Sequence, residues 1–198
     1  MLLWHLGGTV AFIRYAFRDE RMDLRVLMVG AVLPDLVDTP VGFLLWDRFR
    51  TARLAGHSLA ATAAVMVAVL VLARRGRPRK RWMPLAIGML MHLVLDAMWQ
   101  SPATLWWPFL GGFTATPHPT PGAYVAAVLA DPWMWLGEIV GGVYLVTLAR
   151  RGRLGDRARL TRFLRTGRID VPIGRDDRPV PDHPVGPEPH PEGEDDEE

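Results

Sequence analysis

The chain has 198 residues, of which 49% are hydrophobic, and it contains no cysteine. This length suits one domain, and the lack of cysteine excludes a disulfide framework, a thiolate metal site and a cysteine nucleophile. Residues 1–170 hold 21 basic and 11 acidic residues, whereas residues 171–198 hold 2 basic and 10 acidic residues. The chain is therefore a basic, apolar body followed by an acidic tail.

Five apolar segments follow one another along the body: 1–17, 26–46, 57–73, 82–99 and 132–149. About 20 apolar residues in a helix cross the hydrocarbon core of a bilayer. The sequence therefore predicts an all-α membrane bundle of four to five transmembrane helices. The first segment is the weakest candidate, because His5 and Arg14 lie inside it.

Basic residues between the apolar segments predict the orientation. The segment RRGRPRKR at 74–81 and the arginines from Arg150 to Arg168 are expected on the cytoplasmic side. With alternating spans, residues 47–56 and 100–131 are then expected on the external side of the membrane. Positive charge confined to loops indicates membrane topology, so we expect the lipid bilayer as partner and no nucleic acid.

Three regions are predicted from these patterns. Residues 1–150 form the membrane-embedded domain, and residues 151–170 form a basic juxtamembrane segment with a short helix on anionic headgroups. Residues 171–198 hold seven prolines and ten acidic residues. Such a composition cannot bury a core, so a disordered cytoplasmic tail is expected there.

Ionisable side chains inside the apolar segments point to a functional site, because a charge at bilayer depth costs a few kcal/mol. Apart from Arg14, these residues are His5, Asp35, Asp38, His57, His92, Asp96 and Glu138. Asp35 and Asp38 are three residues apart and His92 and Asp96 four apart, so each pair shares a helix face. Counted from the basic boundaries at about 1.5 Å per residue, all seven lie roughly 14–25 Å deep.

A common depth predicts that these side chains meet in one layer in the outer half of the membrane. Histidine and carboxylate together suit a divalent metal: zinc first, with manganese, iron or magnesium as alternatives. A structural polar network between helices and an ion or proton pathway are the other readings. Pro34 precedes the first acidic pair and is expected to weaken the helix and free carbonyl groups there.

Five motifs follow one another along the chain: an early His5, G-x-x-L-P-D-L-x-D (Gly30 to Asp38), R-x-x-x-H-S-L (Arg53 to Leu59), H-x-x-x-D (His92 to Asp96) and W-P-F (Trp107 to Phe109). Their order resembles the YdjM family of bacterial inner-membrane proteins, described as membrane-bound metal-dependent hydrolases. The resemblance covers roughly residues 1–145. It departs at Ala52, where the family commonly has histidine.

The residues and the resemblance together predict a metal-dependent hydrolase in the bacterial plasma membrane, with its site toward the outer face. Asp38 or Glu138 is expected to act as general base, and Arg53 to bind an anionic group of the substrate. A site at this depth favours a phosphodiester or ester of a lipid-like substrate. The alternative is a non-catalytic scaffold. The expected metal ligands are His5, Asp35, Asp38, His57, His92 and Asp96.

Overall fold

The computed structural model describes residues 1–18 and 22–172, with the exception of the Arg77 side chain. Every regular element in these residues is helical, which confirms the all-α prediction. Short 3-10 turns lie at Ala55–His57 and Met98–Gln100. The helices are α1 (Leu2–Phe17), α2 (Leu24–Leu44), α3 (Trp46–Phe49), α4 (Leu59–Leu72), α5 (Arg77–Leu95), α6 (Pro102–Leu105), α7 (Pro121–Ala130), α8 (Pro132–Arg151) and α9 (Arg157–Thr166).

Two of these helices, α2 and α8, are long and apolar enough to cross a membrane. The third segment, predicted at 57–73, contains α4, which begins at Leu59, ends at Leu72 and has only 14 residues. At about 1.5 Å per residue it covers roughly 21 Å, less than the ~30 Å hydrocarbon core. The total of four to five spans therefore stays a prediction.

Glycines bring the helices of the bundle into backbone contact. A Cβ atom at Gly30 of α2 would lie 2.1 Å from the Leu85 carbonyl oxygen of α5, and one at Gly7 of α1 would lie 2.3 Å from the Gly141 oxygen of α8. Only glycine permits such approaches. The close pairs α2–α5 and α1–α8 are the most extensive helix contacts among the described residues.

Pro34 lies inside α2 without interrupting it, and the weakened helix expected there stays a prediction. The helix runs through Pro34 and Pro40 to Leu44. Pro34 has no N–H to donate to the Gly30 carbonyl. The helix tolerates this because packing against α5 holds the segment, and Pro34 itself is fully buried.

The segment after α8 folds back onto the basic ends of α1 and α2. Buried Arg14 donates a hydrogen bond of 2.6 Å to the Val171 carbonyl, and Leu24 N donates one of 2.8 Å to the Gly167 carbonyl. Ile169 is buried in the same core. Helix α9 lies within the predicted basic juxtamembrane segment. The rest of the predicted tail, 173–198, lies outside the described residues.

Candidate metal centre

Asp38 fixes both His57 and the loop that carries it. Its carboxylate accepts hydrogen bonds from the amides of Leu54 (2.8 Å), Gly56 (3.0 Å) and His57 (3.1 Å). The Nδ1 atom of His57 lies 2.7 Å from Asp38 Oδ2. Both oxygens of this carboxylate are acceptors for the three amides, so His57 Nδ1 is the donor in its contact with Asp38. Nδ1 therefore carries the hydrogen, and Nε2 is left with its lone pair.

The other two histidines are oriented in the same way by backbone carbonyls. His92 Nδ1 lies 2.7 Å from the Ala31 carbonyl, and His5 Nδ1 contacts the Met1 carbonyl. A carbonyl only accepts, so these Nδ1 atoms also carry the hydrogen, and both Nε2 atoms are free to bind. Hydrogen bonds of this kind set the tautomer of metal-ligating histidines.

The three Nε2 atoms point into one buried space. His57 Nε2 lies 3.1 Å from His92 Nε2, and the rings of His5 and His92 stack with centroids 4.2 Å apart. All three side chains are at most 1% exposed. Two facing lone pairs at this distance repel unless a cation or a proton lies between or beside them.

Two carboxylates complete the space. Asp35 Oδ1 lies 3.3 Å from His57 Nε2 and 3.8 Å from His92 Nε2. Asp96 Oδ1 lies 3.1 Å from His5 Nε2, and this buried nitrogen makes no hydrogen bond among the described residues. The three Nε2 atoms and the two carboxylates are thus hydrogen-bond acceptors gathered at one place.

The nitrogen and oxygen atoms that could bind a metal ion fall into two overlapping groups. One is His5, His92 and Asp96, and the other is Asp35, His57 and His92, with the ligand atoms of each group within 4.8 Å of one another. The shared His92 Nε2 makes the two groups adjoining positions. The set fits a divalent cation of the zinc, manganese or iron type, which binds imidazole and carboxylate.

Charge supports the same conclusion. With neutral imidazoles, the carboxylates of Asp35, Asp38 and Asp96 face one guanidinium, that of Arg53, whose Nη2 lies 2.9 Å from Asp96 Oδ2. The cluster therefore has a formal charge of −2. A divalent cation would cancel this charge, whereas an uncompensated buried charge is strongly destabilising.

The cluster is open on one side. The side chains of Asp35 and Arg53 are 41% and 37% exposed, while those of the three histidines are buried. A metal site that serves only structure is closed by protein ligands, and a catalytic one keeps an accessible position. The accessible side here is lined by one acid and one arginine.

The structure places two of the predicted residues outside both metal-ion groups. Asp38 belongs to neither among the described residues, because its oxygens bind the loop amides and His57 Nδ1. Glu138 also belongs to neither, and its carboxylate accepts hydrogen bonds from Leu3 N (2.9 Å) and Trp4 N (3.5 Å) at the start of α1. A site role for either residue remains a prediction.

The Ala31 carbonyl, which orients His92, lies in the helical turn before Pro34, where the sequence predicts freed carbonyl groups. One further group was not predicted, the hydroxyl of Thr9. Thr9 is fully buried, and its Oγ1 has no hydrogen-bond partner in the described part of the chain. Its position four residues after His5, on the same helix face, is the signal that would have indicated it.

Comparison with known families identifies the family of the chain. The family model for the YdjM inner membrane protein matches residues 3–154. The chain belongs to the YdjM family. No curated protein and no solved structure gives a significant match. Family membership and the two candidate spans associate this YdjM-family chain with the lipid bilayer of the inner membrane.

Proposed function

We propose that this YdjM-family protein is a membrane-bound, metal-dependent hydrolase that cleaves an ester or phosphodiester of a lipid-like substrate. The observation that supports it most is the convergence of three oriented histidine Nε2 atoms with Asp35 and Asp96 in a cluster of net negative charge. A divalent cation bound there would activate water as a nucleophile and polarise the scissile group.

The ligands in this proposal are His5, His57, His92, Asp35 and Asp96, enough donor atoms for one cation or two neighbouring ones. Asp38 is placed behind His57, where it holds the ring and the loop in position. We keep zinc as the first candidate, with manganese, iron and magnesium as alternatives, because the mixed nitrogen and oxygen donor set suits zinc well.

Asp35 is the best-placed general base. It is the most exposed acid of the cluster, and it faces the two histidines through Oδ1, which leaves its second oxygen to accept a proton. The oxygens of Asp38 and Glu138, by contrast, accept backbone hydrogen bonds. A proton acceptor must reach water and have a free lone pair. Arg53, anchored on Asp96 and partly exposed, would bind an anionic oxygen of the substrate.

The membrane orientation is part of the proposal. The cluster lies near the first residues of α1 and the last residue of α5, at the ends opposite Arg18 and the basic start of α5. The positive-inside rule then puts the basic ends and the C-terminal tail in the cytoplasm and the cluster toward the outer face. From there the open side would meet lipid headgroups.

The test is metal analysis of protein purified without chelator, combined with a hydrolysis screen of ester and phosphodiester lipids. Asp35→Ala should lower turnover at least about a hundredfold, within the range expected for loss of a general base. Asp47→Ala, an exposed acid of α3, is the matched control and should behave as the wild type. Absence of bound metal in the wild type would contradict the proposal.

A second candidate is a non-catalytic scaffold or a proton-binding site. The contacts of His57 favour it, because a proton on Nε2 would sit between Asp35 (3.3 Å), His92 (3.1 Å) and Asp96 (3.8 Å). Such an imidazolium would satisfy part of the negative charge without metal. Metal-free protein of unchanged thermal stability would support this candidate over the hydrolase.

A further inference from the structure

A cavity lies between α1 and α8, beside the histidine cluster. It has a volume of about 650 Å³ and is lined almost entirely by apolar groups. Its α1 wall is the stripe Trp4, Gly7, Gly8, Ala11, Phe12, Tyr15 and Ala16, and its other walls are Leu95, Val140, Gly141 and Tyr144. We call this feature the α1–α8 groove.

The groove begins where the cluster ends. Trp4 and Leu95 line one end, and their indole Nε1 and carbonyl oxygen are 3.4 Å apart. Each of these residues directly precedes a member of the cluster in sequence, His5 and Asp96 respectively. A molecule reacting at the cluster would therefore have the mouth of the groove next to it.

The length of the groove matches one leaflet of a bilayer. From Trp4 to Tyr15 it follows α1 for roughly 16 Å at about 1.5 Å per residue, and half of a ~30 Å hydrocarbon core is roughly 15 Å. Tyr15 and Tyr144 line the far end, near Arg14.

The chemistry of the lining suits a flexible hydrocarbon chain. Glycines and alanines keep the floor open, and Phe12, which is 53% exposed, stands at the edge. Helix α8, which lines the groove, has only 17% of its candidate span buried, so most of its surface is open to apolar surroundings. A lipid chain is the apolar molecule that reaches such a surface at high concentration.

We propose that the α1–α8 groove binds one acyl chain of a lipid whose headgroup linkage lies at the histidine cluster. This inference deepens the proposed function, on which it rests for the position of the scissile group. The groove then selects the substrate class: a lipid ester or phosphodiester with a long acyl chain.

The test needs no turnover. The purified full-length chain is reconstituted in phosphatidylethanolamine–phosphatidylglycerol vesicles that contain a phospholipid with a diazirine in one acyl chain, and adducts are mapped by mass spectrometry after illumination. Adducts should be enriched on the peptides of α1 and α8 over that of α4, an apolar helix without the groove.

Variants test the groove itself. Ala11→Phe fills it and should lower labelling of α1 and α8 about tenfold, the order expected when a pocket loses room for its ligand. Ala11→Ser keeps it open and should label as the wild type. Ala68→Phe, the same change as the first at an exposed position of α4, is the matched control.

Equal labelling of α1, α8 and α4 in the wild type would overturn the proposal, as would unchanged labelling in Ala11→Phe protein that retains its thermal midpoint. A dimer cross-linked through α1 would also overturn it, because a second copy would then occupy the groove. Metal content and hydrolysis of a short-chain ester report on the proposed function separately. If the protein held no metal and did not hydrolyse the short-chain ester, yet the groove were still labelled, the lipid site would stand and the proposed hydrolase would not.

Discussion

His57 Nε2 and His92 Nε2 face each other across 3.1 Å, and each ring has its Nδ1 hydrogen committed to an acceptor on α2. The two acceptors are the Asp38 carboxylate and the Ala31 carbonyl, about two helical turns apart. One helix thus orients two imidazoles from two different elements, the loop before α4 and the end of α5. This arrangement gives α2 the central part in building the site.

Asp38→Asn should weaken metal binding without abolishing it. The amide keeps one acceptor oxygen but loses the second, so it cannot hold the three loop amides and His57 Nδ1 together. Loss of a group that orients a ligand typically lowers metal affinity about 10–100-fold. Chelator competition measures this change, with Asp47→Asn as control. Complete loss of metal would instead indicate that Asp38 is itself a ligand.

Glu138→Gln should leave metal content and turnover unchanged. The side-chain oxygen of glutamine still accepts from Leu3 N at the start of α1. Glu138→Ala removes this interaction and should lower the free energy of unfolding by about 1 kcal/mol, the usual value for a helix cap. Thermal unfolding and the hydrolysis assay check both variants. Lost turnover in Glu138→Gln protein of normal stability would restore its predicted role as base.

Gly30→Ala should destabilise the bundle and disturb the metal centre together. The new Cβ would lie 2.1 Å from the Leu85 carbonyl oxygen, so α2 and α5 must separate, and the contact of His92 with Ala31 depends on their approach. Overpacking of this kind costs about 1–3 kcal/mol. Gly112→Ala is the control, because nothing lies within 4 Å of its added atom. Equal thermal midpoints for the two variants would contradict the close packing.

Asp23→Asn should lower stability at neutral pH. The Asp23 carboxylate caps α2 and accepts a hydrogen bond of 2.8 Å from Arg25 Nη2. Asparagine caps a helix about as well as aspartate, so the loss, about 1 kcal/mol, reflects the charged hydrogen bond to Arg25. Asp156→Asn, at the exposed cap of α9, should be nearly neutral. Thermal midpoints at pH 7 compare the two.

The same carboxylate predicts a pH dependence. Burial raises the pKa of Asp23. The hydrogen bond and charge of Arg25, together with the amides of Val26 and Arg25, lower the pKa by more than burial raises it, so it lies below its ordinary value. The stabilisation is therefore complete above the unfolded pKa of about 3.9 and is lost as the pH falls through the folded pKa. The difference in midpoint between wild type and Asp23→Asn should shrink below pH 4. A constant difference would show that the charge is not involved.

Much of the architecture was predictable from the sequence. Long apolar segments indicate helices in a bilayer because hydrocarbon offers no partner for backbone groups, and the all-α fold and the family are confirmed. The ends of the helices were not predictable to the residue. Helix α5 starts inside the basic segment 74–81, which the sequence predicts to be a loop, and α7 occupies part of the predicted external connection. Local capping and tertiary contacts decide such ends.

The sequence by itself determined which ionisable residues lie inside apolar segments, because such a side chain among apolar neighbours is visible in the order of residues alone. Only the tertiary structure decided what each one does. Asp35 and Asp38 look equivalent in sequence, yet one faces the histidine Nε2 atoms and the other binds loop amides and a Nδ1 atom. The physical reason is that a carboxylate's role depends on which donors reach its two oxygens. Those donors come from Leu54 to His57, brought into place by the packing of the loop on α2.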